Sequence, residues 1–338
     1  KIKVALVGNP NSGKTTLFNA LTGLNQKVGN FPGITVDKKV GACQISQLAS
    51  KNKVDTEFID LPGTYSLYPK SVDESVTFQI LCDSKNEHHP NVNIIIADAS
   101  NLKRSLCLAT QVIDLNTPCI LALSMMDLIT ADGVEIDIDL LSDQLGIPVV
   151  PINARKKIGI GNLKQAIIKI INDFERPSCF VDIKNLAPEL IGNIQNELTL
   201  KSDYNAFQIA CNYKTITGLS EKEKSHFEGL AKELKFNPKR SQATETVRRY
   251  KAIDKLLDQC VVNPKIDSKN NFTRKLDNVL THPIFGFVIF LGVLFLIFQA
   301  IFSWSAYPMD LIDSLFAQLS VFTANALPAG AINSLVVN

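Results

Sequence analysis

Gly8-Asn9-Pro10-Asn11-Ser12-Gly13-Lys14-Thr15 is the stretch whose reading decides the fold. It follows an apolar β-type run, Ile2–Val7, and opens a helical pattern running from Lys14 through Leu21. The pattern G-x-x-x-x-G-K-[ST] between a strand and a helix is a phosphate cradle. Gly8 and Gly13 let the backbone curl so that successive N–H groups point inward. The helix N-terminus adds its partial positive charge. Lys14 is placed to reach β- and γ-phosphates as a mobile charge, and the Thr15 hydroxyl to ligate Mg²⁺. Asn9, Pro10, Asn11, Ser12 and Thr16 complete the predicted nucleotide contacts. A glycine-rich turn with a chance lysine is the competing explanation, and the strand–loop–helix context weighs against it.

Working outward, Leu24 to Thr35 is polar and glycine-rich, too long for a tight turn, and ends in Phe31-Pro32-Gly33-Ile34-Thr35. The expectation is a mobile loop closing over the γ-phosphate through Gly33, Ile34 and Thr35, with Thr35 as a second hydroxyl for Mg²⁺. A plain loop threonine is the equal alternative. Val36–Ile45 and Lys53–Ile59 read as two strands, the second delivering Asp60-Leu61-Pro62-Gly63. Asp60 would hold Mg²⁺ through water, and Gly63 would offer its N–H to the γ-phosphate.

Val92–Ala97 is a continuous apolar run and reads as an interior parallel strand; Leu102–Leu115 follows as a helix. Pro118–Leu123 is the next strand and ends in Ser124-Met125-Met126-Asp127. A carboxylate at Asp127 can accept two N–H bonds from the guanine edge, for which adenine has no matching donor pair. Met125 can cover the base with its apolar stem. Pro148–Ile152 is the last strand, ending in Asn153-Ala154-Arg155, whose backbone is placed to touch the base carbonyl. Gly161–Phe174 closes the unit as a helix. The expected fold is a P-loop α/β domain over residues 1–176, with a mostly parallel six-stranded sheet and helices on both faces.

The remainder divides differently. Residues 177–280 turn helical without strand alternation, in segments such as Tyr204–Thr215, Ser220–Leu234 and Gln242–Val261. The basic group Arg248, Arg249, Lys251 and Lys255 reads as a solvated helix face, with lipid headgroups or a partner as the alternative. Pro283–Tyr307 holds 25 residues without Asp, Glu, Lys, Arg or His. As a helix it would be roughly 37 Å long, enough for the ~30 Å hydrocarbon core of a bilayer. The predicted membrane segment is 281–307, with Lys265, Lys269, Arg274 and Lys275 before it and Asp310 and Asp313 after it. By the positive-inside rule the nucleotide domain is cytoplasmic. Residues 308–338 form an amphipathic segment expected to lie along the outer surface.

Lys plus Arg (35) nearly balance Asp plus Glu (33), so no strong field favours nucleic acid. The seven cysteines lack any C-x-x-C pair and read as reduced. His88-His89 lie in a polar stretch, Asp83–Asn91, that reads as an exposed loop without a metal role. No signal peptide precedes the first strand, and the chain starts without Met; a cytosolic start and a trimmed or truncated product are the expectations.

The combined motifs resemble small Ras-type GTPases and, more narrowly, the N-terminal G domain of the FeoB ferrous-iron transporter family. The residues carrying the resemblance are GNPNSGKTTLFNALTG (Gly8–Gly23), VGNFPGITVDKK (Val28–Lys39), DLPGTYSL (Asp60–Leu67), DASNLKRSLCLATQ (Asp98–Gln111), SMMDL (Ser124–Leu128) and THPIFG (Thr281–Gly286). It implies hydrolysis of GTP to GDP, with Mg²⁺, coupled to Fe²⁺ uptake across the bacterial inner membrane. It further implies catalytic parts for Asn11, Lys14, Thr35 and Gly63, and a K⁺ ion held by Asn11 near the phosphates. The implied partners are the rest of the membrane-spanning transporter, the lipid bilayer and small cytosolic accessory proteins of the iron-uptake system, with a homo-oligomer allowed and no nucleic acid. Residues 177–280 would be the helical coupling domain, and the chain a front fragment of a longer protein.

Two positions depart from what such a site needs. Thr64 stands where Ras-type enzymes place a water-orienting glutamine, so hydrolysis is expected to be slow. Ser124 replaces the asparagine that usually opens the guanine motif, and is expected to lose a bond linking the base to the phosphate loop. The rival readings are a soluble GTPase of ribosome or tRNA maturation and a nucleotide switch with negligible turnover.

Overall fold

The computed structural model describes residues 1–23, 26–30, 37–46, 53–131, 133–262, 276, 279–304 and 306–326. In chain order these give β1 (Ile2–Gly8), α1 (Lys14–Thr22), β2 (Gln26–Asn30), β3 (Asp37–Ser46), β4 (Lys53–Asp60), α2 (Val72–Cys82), β5 (Val92–Asp98), α3 (Leu102–Asp114) and β6 (Cys119–Ser124). There follow α4 (Met126–Ala131), β7 (Glu135–Ile136), α5 (Ile138–Leu145), β8 (Val149–Pro151) and α6 (Ile160–Asn172). Helices α7 (Pro188–Glu197), α8 (Asp203–Asn212), α9 (Glu221–Glu233) and α10 (Pro238–Cys260) lead to β9 (Val261–Val262).

The main sheet has the order β2-β3-β4-β1-β5-β6-β8. Strands β4, β1, β5, β6 and β8 run parallel, and β2 and β3 are antiparallel at one edge. The sheet therefore has seven strands rather than the six expected. The additional one, β2, lies in the stretch read as loop: Gln26–Asn30 pairs antiparallel with Asp37–Gly41. Its polar composition hides it, because an edge strand facing water needs no apolar alternation.

Period-two alternation splits the interior strands between two cores. Val4, Leu6, Ile94 and Ile96 pack with Leu17 and Phe18 of α1 and Leu163 and Ile167 of α6. Ala5, Val7, Ile95 and Ala97 face the other way, onto Leu106, Ala109 and Ile113 of α3. That second core does not stop at the sheet's covering helices. It continues without a break into Ile191, Ile194, Tyr204, Phe207, Phe227, Ile253 and Leu256 of the helical part. Residues Lys1–Lys265 accordingly form one compact unit. The strands β7 and β9 pair Glu135 with Val262 and Ile136 with Val261, tying the end of α10 to the first half of the chain.

The helix boundaries are set by ordinary caps. Ser220 and Glu223 form a capping box on α9. Asn237 caps α10, with Pro238 in its first turn.

The basic group on α10 is not a uniformly solvated face, which corrects the expectation from sequence. Arg249 is fully buried: its Nη2 lies 2.7 Å from Asp114 Oδ2 and its Nε 2.5 Å from Glu245 Oε1, with all three side chains sealed from solvent. The Tyr68 hydroxyl donates to the other Glu245 oxygen at 2.6 Å. The Arg249 guanidinium also lies over the Tyr204 ring, 4.9 Å from its centre. Burial raises the Asp114 carboxyl above its ordinary value, while Arg249 and the Phe180 N–H pull it down. The expectation failed because a guanidinium on a polar helix is indistinguishable in sequence from its solvated neighbours until α3 is packed beside it.

The loop holding the two histidines is also more packed than expected. His88 is buried, its Nε2 lies 2.7 Å from Lys38 Nζ, and His89 Nδ1 lies 3.0 Å from Ile80 O. Burial, and then the charge of Lys38, lower the His88 pKa.

Ile266–Asn338 form a second unit. In it α11 (Phe285–Gln299) runs through a π-helical turn, Ala300–Trp304, and α12 spans Ala306–Ala326. The stretch Phe285–Phe322 has a mean hydropathy of 2.6 in its most apolar window and is long and apolar enough to cross a membrane. His282 Nδ1 accepts from the N–H groups of Ile284 and Phe285 at the start of α11. The basic residues Lys265, Lys269, Arg274 and Lys275 lie outside the described residues.

Candidate functional site

The strand β1 ends at Gly8 against the backbone of Ile96, where an added Cβ would sit 2.9 Å from a carbonyl oxygen. Only glycine fits this close approach. Asn11 (φ 64°) and Gly13 (φ 92°) then adopt left-handed backbone conformations. Asparagine tolerates that region better than other side chains. The loop therefore turns back on itself before Lys14 starts α1.

Asp60, the last residue of β4, meets this loop with both oxygens. Oδ1 lies 3.0 Å from Lys14 Nζ, and Oδ2 accepts from Thr15 Oγ1 at 3.2 Å. Two hard oxygen donors side by side suit Mg²⁺, which takes oxygen ligands and fills its shell with phosphate and water. The following turn is held close: Thr64 N–H donates to Gly8 O at 3.2 Å, and a Cβ on Gly63 would come within 3.0 Å of Pro10 N. The Thr64 hydroxyl donates to Ser66 O at 2.7 Å and is buried. It closes a local turn with Ser66. Asn9 Oδ1 and Ser12 Oγ are buried without a partner among the described residues, as expected of atoms that face a ligand.

The other end of the cleft is built by the ends of β6 and β8. Asp127 is braced by Asn153, whose Nδ2 donates to Oδ2 at 3.3 Å, while Asn153 Oδ1 accepts from Lys156 N–H at 3.1 Å. This bracing side chain was missed from sequence, where only the Asn153 backbone was given a part. The Ser124 hydroxyl lies 3.0 Å from both Ser12 O and Ala97 O. The end of β6 is thus tied to the phosphate loop within the protein. Met125 follows with a left-handed backbone, φ 59°.

One cleft of about 710 Å³ joins the two ends. Its wall contains Asn9 to Thr16, Gly63, Ser124, Met125, Asp127 and Asn153 to Arg155, together with Leu128 and Ile152, which the sequence did not single out. Gly8 and Asp60 lie immediately behind it. Gly33, Ile34 and Thr35 lie outside the described residues. Among the described residues no group of three or more His, Cys, Asp or Glu could hold a metal by itself. A Mg²⁺ site completed by phosphate does not need one.

The family model described as ferrous iron transport protein B matches residues 2–167. The Fe(2+) transporter FeoB of Leptospira biflexa is 31% identical over 99% of this chain and 48% of its own length. The chain thus spans about half the length of the curated relatives it matches. The cytosolic domain of L. pneumophila FeoB is 32% identical over 77% of this chain and 99% of that one, with a TM-score of 0.61. The cytosolic domain of the T. maritima FeoB iron transporter in its GMPPNP form is 28% identical over 78% and 100%, with a TM-score of 0.59.

Proposed function

This chain belongs to the ferrous iron transport protein B family, and we propose that it is the GTP-binding, slowly GTP-hydrolysing cytoplasmic front of an Fe²⁺ transporter. The observation that carries this is one cleft lined by Lys14 and Thr15 at one end and Asp127 at the other, with Asp60 bonded to Lys14 and Thr15 from behind. Family membership favours it over the reading in RNA maturation.

In this reading the loop N–H groups from Asn9 to Thr15 line the phosphate chain, and Lys14 offsets the charge that grows on the β- and γ-oxygens. Thr15 and Asp60 would hold Mg²⁺, with Thr35 as the further hydroxyl, and the ion would supply positive charge against the phosphates. Gly63 offers its N–H to the γ-phosphate. Asp127 accepts the two N–H groups of guanine, and the Ala154 region meets its carbonyl. With its hydroxyl engaged by Ser66, Thr64 is not free to orient an attacking water. This supports slow turnover.

Residues 1–176 serve as the G domain and 177–280 as the coupler. Residues 281–307 cross the inner membrane, and 308–338 lie on its outer face. The partners are the bilayer and the rest of the transporter. Magnesium-dependent retention of GTP and GDP by the purified chain tests the nucleotide half. Fe²⁺ uptake by cells expressing the full-length parent, lost when Lys14 is changed to Ala, tests the transport half. Retention that is indifferent to magnesium would sink the Asp60 assignment.

Asn11 lines the cleft on a left-handed turn of the phosphate loop, and the family resemblance gives its side chain a K⁺ ion to hold near the phosphates. Such an ion would supply the positive charge that an arginine finger gives elsewhere. Exchanging Na⁺ for K⁺ is expected to raise single-turnover hydrolysis, and Asn11→Ala to remove that gain. An Asn11→Ala variant that keeps the full gain contradicts the assignment.

A further inference from the structure

We propose that this chain recognises guanine without reading N7: Ser124 spends its hydroxyl proton on the protein backbone and leaves N7 of the base without a donor from that position. The inference rests on the guanine reading of the cleft and concerns how narrowly that reading is enforced.

Ser124 closes β6 at the point where three chain segments converge. Its Oγ has two acceptors, Ser12 O in the phosphate loop and Ala97 O in β5, each at 3.0 Å. A serine hydroxyl has one proton. Whichever carbonyl takes it, the proton stays inside the protein, and Ser124 is nearly buried. What remains on Oγ is lone-pair density.

Guanine has donors on N1 and N2 and acceptors at O6 and N7. Asp127 is an acceptor and can serve only the donor edge. Ser12, Ser124 and Asp127 line the same cleft, so with N1 and N2 on Asp127 the five-membered ring, on the far side of the base, would face the strand end that carries Ser124. N7 needs a donor in that place. The other side-chain amide beside the base, Asn153, is turned to Asp127 and Lys156. An asparagine at position 124 would change the count, because an amide nitrogen carries two protons. It could keep one on a carbonyl and offer the second to N7. The serine preserves the strand-to-loop tie and gives up the second contact.

The same reasoning gives the substrate tolerance. Replacing N7 by C–H removes an acceptor to which Ser124 and Asn153 offer no proton, so 7-deazaguanine nucleotides should be accepted as readily as natural ones. Removing the N2 amino group, as in inosine nucleotides, should be penalised, because it takes away one of the two N–H bonds that Asp127 accepts from the base.

The test is competition for the full chain between a fluorescent ribose-labelled GDP and unlabelled GDP, 7-deaza-GDP and IDP, in Mg²⁺. GDP and 7-deaza-GDP are expected to compete within about twofold of each other, and IDP about tenfold more weakly, the worth of one hydrogen bond. The Ser124→Asn variant is expected to favour GDP over 7-deaza-GDP by several-fold, up to about tenfold. The wild-type comparison decides the matter even if that variant does not fold. If GDP competes and 7-deaza-GDP is about fivefold weaker or worse, the N7 inference fails and the guanine reading stands. If GDP itself does not compete, both fall together.

Discussion

Changing Lys14 to alanine is expected to weaken GTP and GDP binding by about 10²–10³-fold, the largest effect of any single substitution in the cleft. Two unit charges about 4 Å apart at an effective dielectric near 20 interact by about 4 kcal/mol, which is about a thousandfold in affinity. Part of that is returned, because Lys14 must leave Asp60, 3.0 Å away, to meet a phosphate. The substitution also leaves the Asp60 carboxylate, nearly buried, without its cation. Titration with a fluorescent guanine nucleotide in Mg²⁺ measures the loss, and a thermal melt of the same sample shows whether the fold survived. An affinity within about threefold of wild type would remove the phosphate loop from the centre of this account.

The second large effect is on stability. Arg249→Met is expected to cost about 3–5 kcal/mol, because it strands two carboxylates, Asp114 and Glu245, in an interior sealed from water. For a unit of this size the melting temperature should fall by about 5–10 °C. The volume of the methionine side chain keeps the packing, so the loss reports the stranded charge rather than a cavity. The sharper measurement adds Asp114→Asn and Glu245→Gln to the same chain. Neutralising both acids should recover much of the loss, since a buried ion cluster contributes little net stability over neutral neighbours. A melting temperature unchanged by Arg249→Met, or a triple variant less stable than the single one, would show that the cluster is hydrated in solution.

How far these features could be read from the chain varies by residue. The phosphate loop, Asp60 and Asp127 were legible because each ends or closely follows an apolar strand in a fixed motif, and short-range pattern carries that information. The main strands and helices followed for the same reason, with α3, β5 and α10 within a few residues of their expected bounds. Strand β2 was not legible: it is an exposed edge, and its pairing depends on β3. Nor was the bracing of Asp127 by Asn153, because the two are 26 positions apart and meet only through the β6–β8 pairing. Arg249 was the plainest failure. Its charge suggested water, and only the approach of Asp114, 135 positions away, supplies the partner that lets it be buried.

The continuous apolar interior shared by α3, α8 and α10 has a consequence for how this protein can be divided. Severing the polypeptide near Pro177 would not release a finished nucleotide-binding module. It would bare the oily flank of α3 and abandon Asp114 without its counter-ion. The helical half behaves as an inner wall of the nucleotide domain, not as an appendage. Recombination or engineering that exchanges one half must therefore exchange the other with it.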